Sequence, residues 1–265
     1  MDVETLKLGK QDHVHDDRTL MLGQYLEVPV VPTNYDFDSK RAKFPNHMWG
    51  NDQYGDCVIA SESNHLLRME RIEQKRTIML TDDDCINRYK EMTGCQNPGD
   101  GNDTGLVMLN AMKNWRTSGY QVKKKSYNIA AFGELDPIDD AQLRAAVYLL
   151  GGIHFGFALP LTARVQTNDG FWDVSPNDPG SEAGSWGGHA VFSCKYDAEN
   201  IYVKSWEAEI RVTNAFVHKY ADEVWGAVDD LDRWRKSDNL DVQGLIDKLH
   251  QIGAHNVQQL EGGDG

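Results

Sequence analysis

The chain has 265 residues, of which 40% are apolar and 9% aromatic, so it can bury the core of one large domain or of two small ones. Its formal net charge of -14 repels phosphate backbones and anionic membrane surfaces at long range. We therefore expect neither nucleic acid nor a membrane as a partner, and no apolar run approaches the ~18 residues of a membrane span.

The first half of the chain predicts an irregular arm followed by helices. Residues 1–30 are polar and irregular, and their densest charged stretch is typical of a solvated arm. Apolar spacing predicts helices at 56–71, 82–92 and 104–117. Segment 94–103, rich in Gly, Asn and Asp, predicts a loop between the last two helices.

The second half changes to a strand pattern. A helix at 141–150 leads through two glycines into residues 153–159, which alternate like a strand. Later segments predict further strands of an antiparallel sheet, at 188–197, 200–205, 208–213 and 223–229. Residues 240–253 are spaced for an amphipathic helix that packs on the domain, and 261–265 are typical of a flexible end.

The change from helices to strands predicts an α+β fold with two lobes. We expect a helical lobe at about 45–125 and a sheet lobe at about 126–235, which together form a domain at 31–235. The arm at 1–30 precedes this domain, and a C-terminal helix and tail at 236–265 follow it. Because interfaces of this kind commonly hold active sites, a site is expected between the lobes.

The N-terminus and the small number of cysteines indicate a compartment inside the cell. The first residues lack the basic start and apolar core of a secretory signal, which predicts a cytoplasmic protein, with release by lysis or association with a virion left open. The four cysteines are too few and too widely spaced for a disulfide framework: Cys57, Cys85, Cys95 and Cys194.

No cofactor or metal is expected. Two weaker alternatives stay open: a metal site built from His13, His15 and the neighbouring aspartates, and a calcium site in loop 94–103. The loop misses the EF-hand spacing and lacks its closing glutamate.

One cysteine and one histidine carry the strongest chemical signal. Cys57 follows a glycine-punctuated loop, in the first turn of a predicted helix, and His189 begins a predicted strand far downstream. A thiol is a good nucleophile only when ionised, and a helix N-terminus and a nearby imidazole both favour the thiolate. Taken singly, a buried cysteine or histidine is more often a packing residue.

Six segments together resemble the papain-like cysteine peptidases of the papain and cathepsin type. They occur in that family's order, and the resemblance suggests a divergent intracellular, phage-like or bacterial-like member. The segments are 32–38, 51–61, 94–95, 142–157, 188–197 and 202–206. The resemblance implies a papain-like two-lobed fold with a helical N-terminal lobe and an antiparallel sheet C-terminal lobe.

The resemblance also implies roles for individual residues. Cys57 corresponds to the nucleophile and His189 to its proton partner, while the backbone N–H of Cys57 and a side-chain amide would form the oxyanion hole. Asn51 stands at the position of the family's glutamine, and Gln53 lies two residues later. We favour Gln53 for its reach, with Asn51 close behind. Trp206 corresponds to a tryptophan that shields the histidine pair from water.

The chain departs from the family pattern next to both catalytic positions. Lys204-Ser205-Trp206 replaces Asn-Ser-Trp, so we expect Ser205 to orient the histidine, because its hydroxyl can accept a hydrogen bond. Asp56 directly precedes Cys57, where its charge would raise the pKa of the thiol unless it caps the helix and points away.

Two further departures concern the family's disulfide and its propeptide. Tyr54 replaces the family's bridging cysteine, which leaves Cys95 without a partner and agrees with a reducing compartment. The arm is also shorter than the usual inhibitory propeptide, which argues against a conventional zymogen.

The resulting hypothesis is a thiol hydrolase that cleaves peptide or related amide bonds through an acyl-enzyme on Cys57, with a peptide or protein as substrate. Cleavage of an isopeptide or of a peptidoglycan cross-link is a variant of it. One alternative is a papain-like fold with weak or no turnover, kept as a binding or structural protein. Another is an acyl transferase of the transglutaminase type. The sequence does not predict an oligomeric state.

Overall fold

A computed structural model describes residues 3–40, 44–73, 78–229 and 240–261 of the chain. Within these ranges the helices are α1 (Cys57–Arg68), α2 (Asp82–Thr93), α3 (Met108–Thr117), α4 (Asp140–Leu150), α5 (Leu161–Gln166), α6 (Asn214–Tyr220) and α7 (Val242–Glu261). No helix in this part of the chain combines the length and the apolar character needed to cross a bilayer.

The strands form one large sheet and a separate hairpin. They are β1 (Tyr35–Asp36), β2 (Tyr120–Val122), β3 (Lys125–Tyr127), β4 (Ile129–Leu135), β5 (Ile153–Leu159), β6 (Phe171–Trp172), β7 (Gly187–Tyr196), β8 (Asn200–Ser205), β9 (Ala208–Thr213) and β10 (Ala221–Asp229). The large sheet has the order β4-β10-β5-β7-β8-β9-β6, with β1 also on β7, and β2 pairs with β3. Its pairings are antiparallel except for β6 with β9.

Local sequence explains where several helices begin and end. Thr81 and Asp84 form a capping box at the start of α2, and Gly94 ends that helix in the left-handed conformation with a φ of 77°. The Asp139 side chain accepts a hydrogen bond from the backbone of Gln142 and caps α4 in the same way.

Two main apolar cores lie on either side of the sheet's central strand β7. One core gathers α1, α2, α3 and the β2–β3 hairpin, and the other gathers the outer strands with α4 and α6. Helix α1 packs on β7 and is buried almost all round. Its charged residues are therefore paired: Glu62 binds Arg88 at 2.8 Å, and Arg68 binds Asp38 at 2.7 Å.

The structure confirms the predicted α+β class with an antiparallel sheet. Strands β5, β8 and β9 have the bounds that their alternation predicts. Helix α3 begins at Met108 instead of residue 104, because Leu106 is held by backbone hydrogen bonds to the N-terminal arm. Strands β1, β2, β3, β4 and β6 were not among the strands predicted from the sequence.

The C-terminal helix starts on the domain, as its amphipathic pattern predicts. Leu240, Val242 and Leu245 are buried in the core of the sheet lobe. The predicted flexible end falls almost wholly outside the described residues, as do 230–235 at the predicted end of the sheet lobe.

Candidate active site

Cys57 is the first residue of α1 and follows a tight loop. Trp49 and Gly50 in that loop have left-handed φ angles of 60° and 92°. The first helical hydrogen bond runs from the N–H of Ala60 to the carbonyl of Asp56 at 2.9 Å. The unpaired N–H groups of the first turn and the helix dipole therefore lie beside the Cys57 sulfur, where they favour negative charge.

The packing of α1 on β7 brings Cys57 next to the strand that carries His189. The N–H of Ala190, the residue after His189, donates a hydrogen bond to Cys57 Sγ at 3.3 Å. His189 pairs with Phe157 in the neighbouring strand β5, which fixes its position in the sheet. Both predicted residues are thus in one place, one from each lobe.

Ser205 holds the imidazole. Its Oγ lies 2.7 Å from His189 Nε2, whereas His189 Nδ1 makes no hydrogen bond within the described part of the chain. Alternation along β8 directs Lys204 to the other side, where its Nζ lies 2.6 Å from Glu209 and 3.6 Å from Asp38. The hydroxyl therefore stands where it can orient the ring, and the lysine does not contact it.

Trp206 covers the imidazole. Its ring is stacked on His189 with centroids 3.9 Å apart and planes 11° from parallel. Trp206 and Glu207 form the two-residue turn between β8 and β9, and both have left-handed φ angles, 46° and 62°. A bulky residue in this conformation is strained, so the tight hairpin holds the indole over the histidine at a local cost.

Asp56 does not cap α1, so of the two alternatives for this residue the helix cap is the one that the structure excludes. Its side chain makes no capping hydrogen bond and lies buried, with Cys85 Sγ 3.8 Å from Oδ2. Burial raises the pKa of Asp56 well above its usual range, although a hydrogen bond from Asn51 opposes this shift. Burial thus disfavours a negative charge on Asp56, and whatever charge this carboxyl carries raises the pKa of the neighbouring Cys57 thiol.

The two amide candidates for the oxyanion hole are in different environments. Asn51 is buried, and its Nδ2 donates to the carbonyl of Tyr54 at 3.1 Å, while its side chain also bonds to Asp56. Gln53 is exposed. The Asn51 amide therefore holds the loop together, and the role of Gln53 in the oxyanion hole stays a prediction.

The N-terminal arm crosses the site. Lys7 N–H donates to the carbonyl of Asn51 at 3.2 Å, and Lys10 N–H donates to the carbonyl of Gly188 at 3.1 Å. The Gly9 carbonyl accepts from Leu106 N–H at 2.8 Å, and Gly9 also offers its N–H to the Cys57 sulfur. This segment of the arm is therefore an ordered, extended stretch across the cleft that the sequence did not predict, whereas the charged run at 12–17, expected to be solvated, is mostly exposed.

Glycines allow the arm to lie this close. A Cβ on Gly9 would come within 1.8 Å of the Gly55 carbonyl oxygen, and one on Gly188 within 2.1 Å of the Lys10 carbonyl oxygen. A Cβ on Gly105 would meet the Gly9 carbonyl oxygen at 2.0 Å. The arm and the cleft thus approach each other backbone to backbone, with no room for a methyl group.

Covering by the arm keeps the thiol and the imidazole uncharged. Cys57 is 0% exposed and His189 is 1% exposed. Burial raises the pKa of Cys57 to about 12, despite hydrogen bonds from Ala190 and Gly9, and burial lowers the pKa of His189 to about 3. In this state the pair is a neutral thiol beside a neutral imidazole.

Other histidines considered from the sequence make hydrogen bonds away from Cys57. His65, which was not expected to reach the sulfur, bonds through Nδ1 to His154 Nε2 at 2.9 Å, and His154 Nδ1 bonds to Ser61 at 2.7 Å. These three residues form a buried chain inside the protein. His218 lies 2.9 Å from Asp140 at the surface.

The predicted loop at 94–103 is held by its own carboxylates. Asp100 accepts hydrogen bonds from the backbone N–H groups of Gln96, Asn97 and Asn102. Asp103 accepts from Gly55 N–H at 2.9 Å and so connects this loop to the nucleophile loop. Among the described residues, no group of three or more His, Cys, Asp or Glu side chains could hold a metal ion.

Solved structures with similar folds are cysteine proteases. Xylellain, a cysteine protease from Xylella fastidiosa, is 17% identical with a TM-score of 0.66, over 86% of this chain and 97% of that chain. The Carica candamarcensis protease CMS1MS2 is 13% identical with a TM-score of 0.53, over 76% of this chain and 100% of that chain. The protease and lectin-like domains of Cwp84 from Clostridium difficile are 12% identical with a TM-score of 0.58, over 84% of this chain and 56% of that chain.

The chain has a papain-like fold. Its sequence matches no protein-family model and no curated protein. In this fold Cys57 lies against the strand that carries His189, and Ser205 lies beside the His189 ring, while their catalytic roles stay predictions. Sequence reasoning missed the arm in the cleft, and the one local signal for it is Gly9 between Leu8 and Lys10 in an otherwise polar stretch.

Proposed function

We propose that the chain is a thiol hydrolase of the cysteine peptidase type that cleaves peptide or related amide bonds. The observation that carries this proposal is the position of Cys57 Sγ. It lies at a helix N-terminus and against the strand of His189, whose Nε2 is bound by Ser205 while Nδ1 is left for the thiol. The papain-like fold supports this class of activity in general.

The proposed reaction has two steps. Cys57 transfers its proton to His189, the thiolate attacks the carbonyl carbon, and the C–N bond breaks as His189 protonates the leaving amine. The acyl group is then a thioester on Cys57. Water attacks the thioester carbon after giving a proton to His189, which returns this proton to the sulfur as the acid product leaves.

Attack on the carbonyl carbon puts a negative charge on the carbonyl oxygen of the tetrahedral intermediate, and hydrogen-bond donors must stabilise this charge. The backbone N–H of Cys57 supplies one donor and the Gln53 side chain supplies the second, with Asn51 as the alternative amide. Trp206 shields the thiolate and imidazolium from water, which strengthens their attraction.

Reaction requires the arm to leave, because substrate cannot reach a sulfur that is 0% exposed. Without the arm, water and substrate dipoles can stabilise the thiolate and the imidazolium, so the pair can become charged. The full-length Gly9→Ala variant is designed to release the arm, since the added methyl group collides with the Gly55 carbonyl.

Alkylation separates an activated thiol from a buried structural one. We expect iodoacetamide at pH 6 to modify Cys57 of the Gly9→Ala protein faster than Cys85, Cys95 or Cys194, which are all buried and free. Mass spectrometry of the peptides identifies the modified residue. If Cys57 reacts no faster than the other three, the hydrolase proposal fails and the binding or structural protein is the better hypothesis.

Product analysis separates hydrolysis from acyl transfer. With a peptide substrate and an added primary amine, a hydrolase releases the free acid, whereas a transferase of the transglutaminase type gives the amide of the added amine.

A reducing compartment such as the cytoplasm is part of the proposal, supported by the free state of all four cysteines.

A further inference from the structure

The side chain of Lys10 enters an enclosed pocket beside the candidate active site. Its side chain is 1% exposed. Gly156 on β5 leaves the space for it, because a Cβ there would lie 2.3 Å from Lys10 Cε, 2.6 Å from Glu223 Cγ and 2.9 Å from Met108 Sδ. The pocket thus has an apolar wall from α3, a bare backbone wall from β5 and an acidic wall from β10.

Two carboxylates of β10 meet the ammonium group of Lys10. Its Nζ lies 2.8 Å from Asp222 Oδ2 and 3.1 Å from Glu223 Oε1, and it also donates to the carbonyl of Gln11 at 3.1 Å. Burial lowers the pKa of Lys10, but the two carboxylates outweigh this effect and raise it, so the amine is charged.

Glu223 is a buried acid that depends on a cation. Its side chain is 0% exposed, and its Oε2 accepts a hydrogen bond from Trp225 Nε1 at 2.6 Å. Its Oε1 has only the ion pair with Lys10 within the described residues. When Lys10 leaves, an unpaired carboxylate remains in a closed pocket, and this strongly favours entry of another positive charge.

The pocket lies next to the reacting atoms. Gly9 offers its N–H to the Cys57 sulfur, and Lys10, the next residue, donates its N–H to the carbonyl of Gly188, next to His189. Any chain that takes the place of the arm along these backbone groups puts a nearby side chain into the same pocket.

We propose that this pocket selects the substrate: it takes a lysine or arginine side chain of a peptide close to the bond that is cleaved. This proposal rests on the proposed hydrolase function and adds the class of substrate to it. The arm occupies the pocket with a side chain of the same chemistry, and a basic peptide competes with Lys10 for Asp222 and Glu223.

Matched peptides test the charge preference. The Gly9→Ala protein is given peptide amides that carry lysine, or its uncharged isostere norleucine, at each position in turn on either side of the scissile bond. A second series compares arginine with citrulline. At one position the charged residue should raise kcat/KM by about 30-fold or more, the size expected for a buried charge pair.

Removal of the pocket charge should abolish that preference. Glu223→Gln in the Gly9→Ala background keeps the shape of the side chain and should bring the lysine and norleucine rates within about threefold of each other. Glu91→Gln, at an exposed site on α2, is the matched control and should keep the preference. Asp222→Asn serves as a second pocket variant if Glu223→Gln fails to fold.

The outcomes separate this proposal from the proposed function. Equal rates for charged and neutral peptides, in a protein that hydrolyses both, would overturn the pocket proposal and leave the hydrolase in place. Preference for lysine that survives both pocket variants would also overturn it. Absence of hydrolysis of every peptide, together with slow alkylation of Cys57, would instead count against the hydrolase.

Discussion

At the scale of single residues, a serine hydroxyl lies beside the imidazole of His189, where the resemblance leads one to expect a longer amide. The Ser205 Oγ lies 2.7 Å from His189 Nε2, at the strand end where the resemblance gives only a substituted motif. The alternation of β8 explains this choice, because Lys204 and Ser205 face opposite sides and only one of them can meet the ring.

Loss of the Ser205 hydroxyl should destabilise the protonated, charged form of His189. In the Gly9→Ala background, we expect Ser205→Ala to lower kcat about tenfold or more, since hydrogen bonds to charged groups are worth more than neutral ones. The alkaline limb of the rate profile should also move to lower pH, because an imidazolium that has lost its hydrogen-bond acceptor gives up its proton more readily. Steady-state rates between pH 5 and 9 check both effects.

Two variants control for a merely structural effect. Ser193→Ala removes a buried hydroxyl from β7 that binds the Tyr202 carbonyl and does not contact His189. It should leave the pH profile unchanged, and Ser205→Thr should restore most of the rate. An unaltered profile in Ser205→Ala would show that Ser205 does not position the histidine.

The sequence predicts the reacting residues better than their surroundings. Cys57, His189 and Ser205 lie inside recognisable motifs, so their meeting follows once the two lobes are recognised. The raised pKa of Asp56 depends on burial, which only the packed structure supplies. Gln53 is exposed, and its role in the oxyanion hole stays a prediction.

At the scale of elements, the N-terminal arm is the part that sequence reasoning describes least well. Strands β8 and β9 can be recognised in the sequence, because apolar and polar residues alternate where one face of a strand is buried. The arm is held instead by backbone hydrogen bonds to residues far along the chain, such as Leu106 and Gly188. Such contacts leave no periodic signal in the sequence.

A single methyl group should release the arm. Gly9 has no room for a Cβ against Gly55, and overpacking of this kind costs ~1–3 kcal/mol. We expect Gly9→Ala to raise the rate of Cys57 alkylation about tenfold or more relative to the unaltered protein. The rate is measured by mass spectrometry under native conditions.

Gly101→Ala is the matched control, because a Cβ at that position meets nothing within 4 Å. It should alkylate at the rate of the unaltered protein. Equal rates for Gly9→Ala and Gly101→Ala would mean that the arm does not limit access to the thiol.

At the scale of the whole molecule, buried histidines make stability depend on pH. Burial lowers the pKa of His65 and of His189 to about 3, and burial lowers the pKa of His154 well below its ordinary value. The unfolded chain protonates all three near pH 6.5, whereas the folded chain does not. Their stabilising contribution is therefore complete above about pH 6.5 and is lost as the pH falls towards 3.

As the pH falls, the protein should lose stability at pH values above those at which its carboxylates are protonated. Burial raises the pKa of Asp56, and this shift opposes the effect. The two histidines whose pKa falls to about 3 take up about two protons on unfolding, which predicts that the free energy of unfolding falls by about 2.7 kcal/mol per pH unit below pH 6. Urea unfolding between pH 5 and 8 measures this slope, and a flat profile there would contradict it.

The hairpin that covers His189 also supplies an optical signal. The Trp206 indole N–H donates to the carbonyl of Lys7 at 3.1 Å, so this bond exists only while the arm is in place. Departure of the arm exposes one edge of the ring to water and alters its fluorescence emission. The opening of the cleft can therefore be timed by stopped-flow spectroscopy without any added dye.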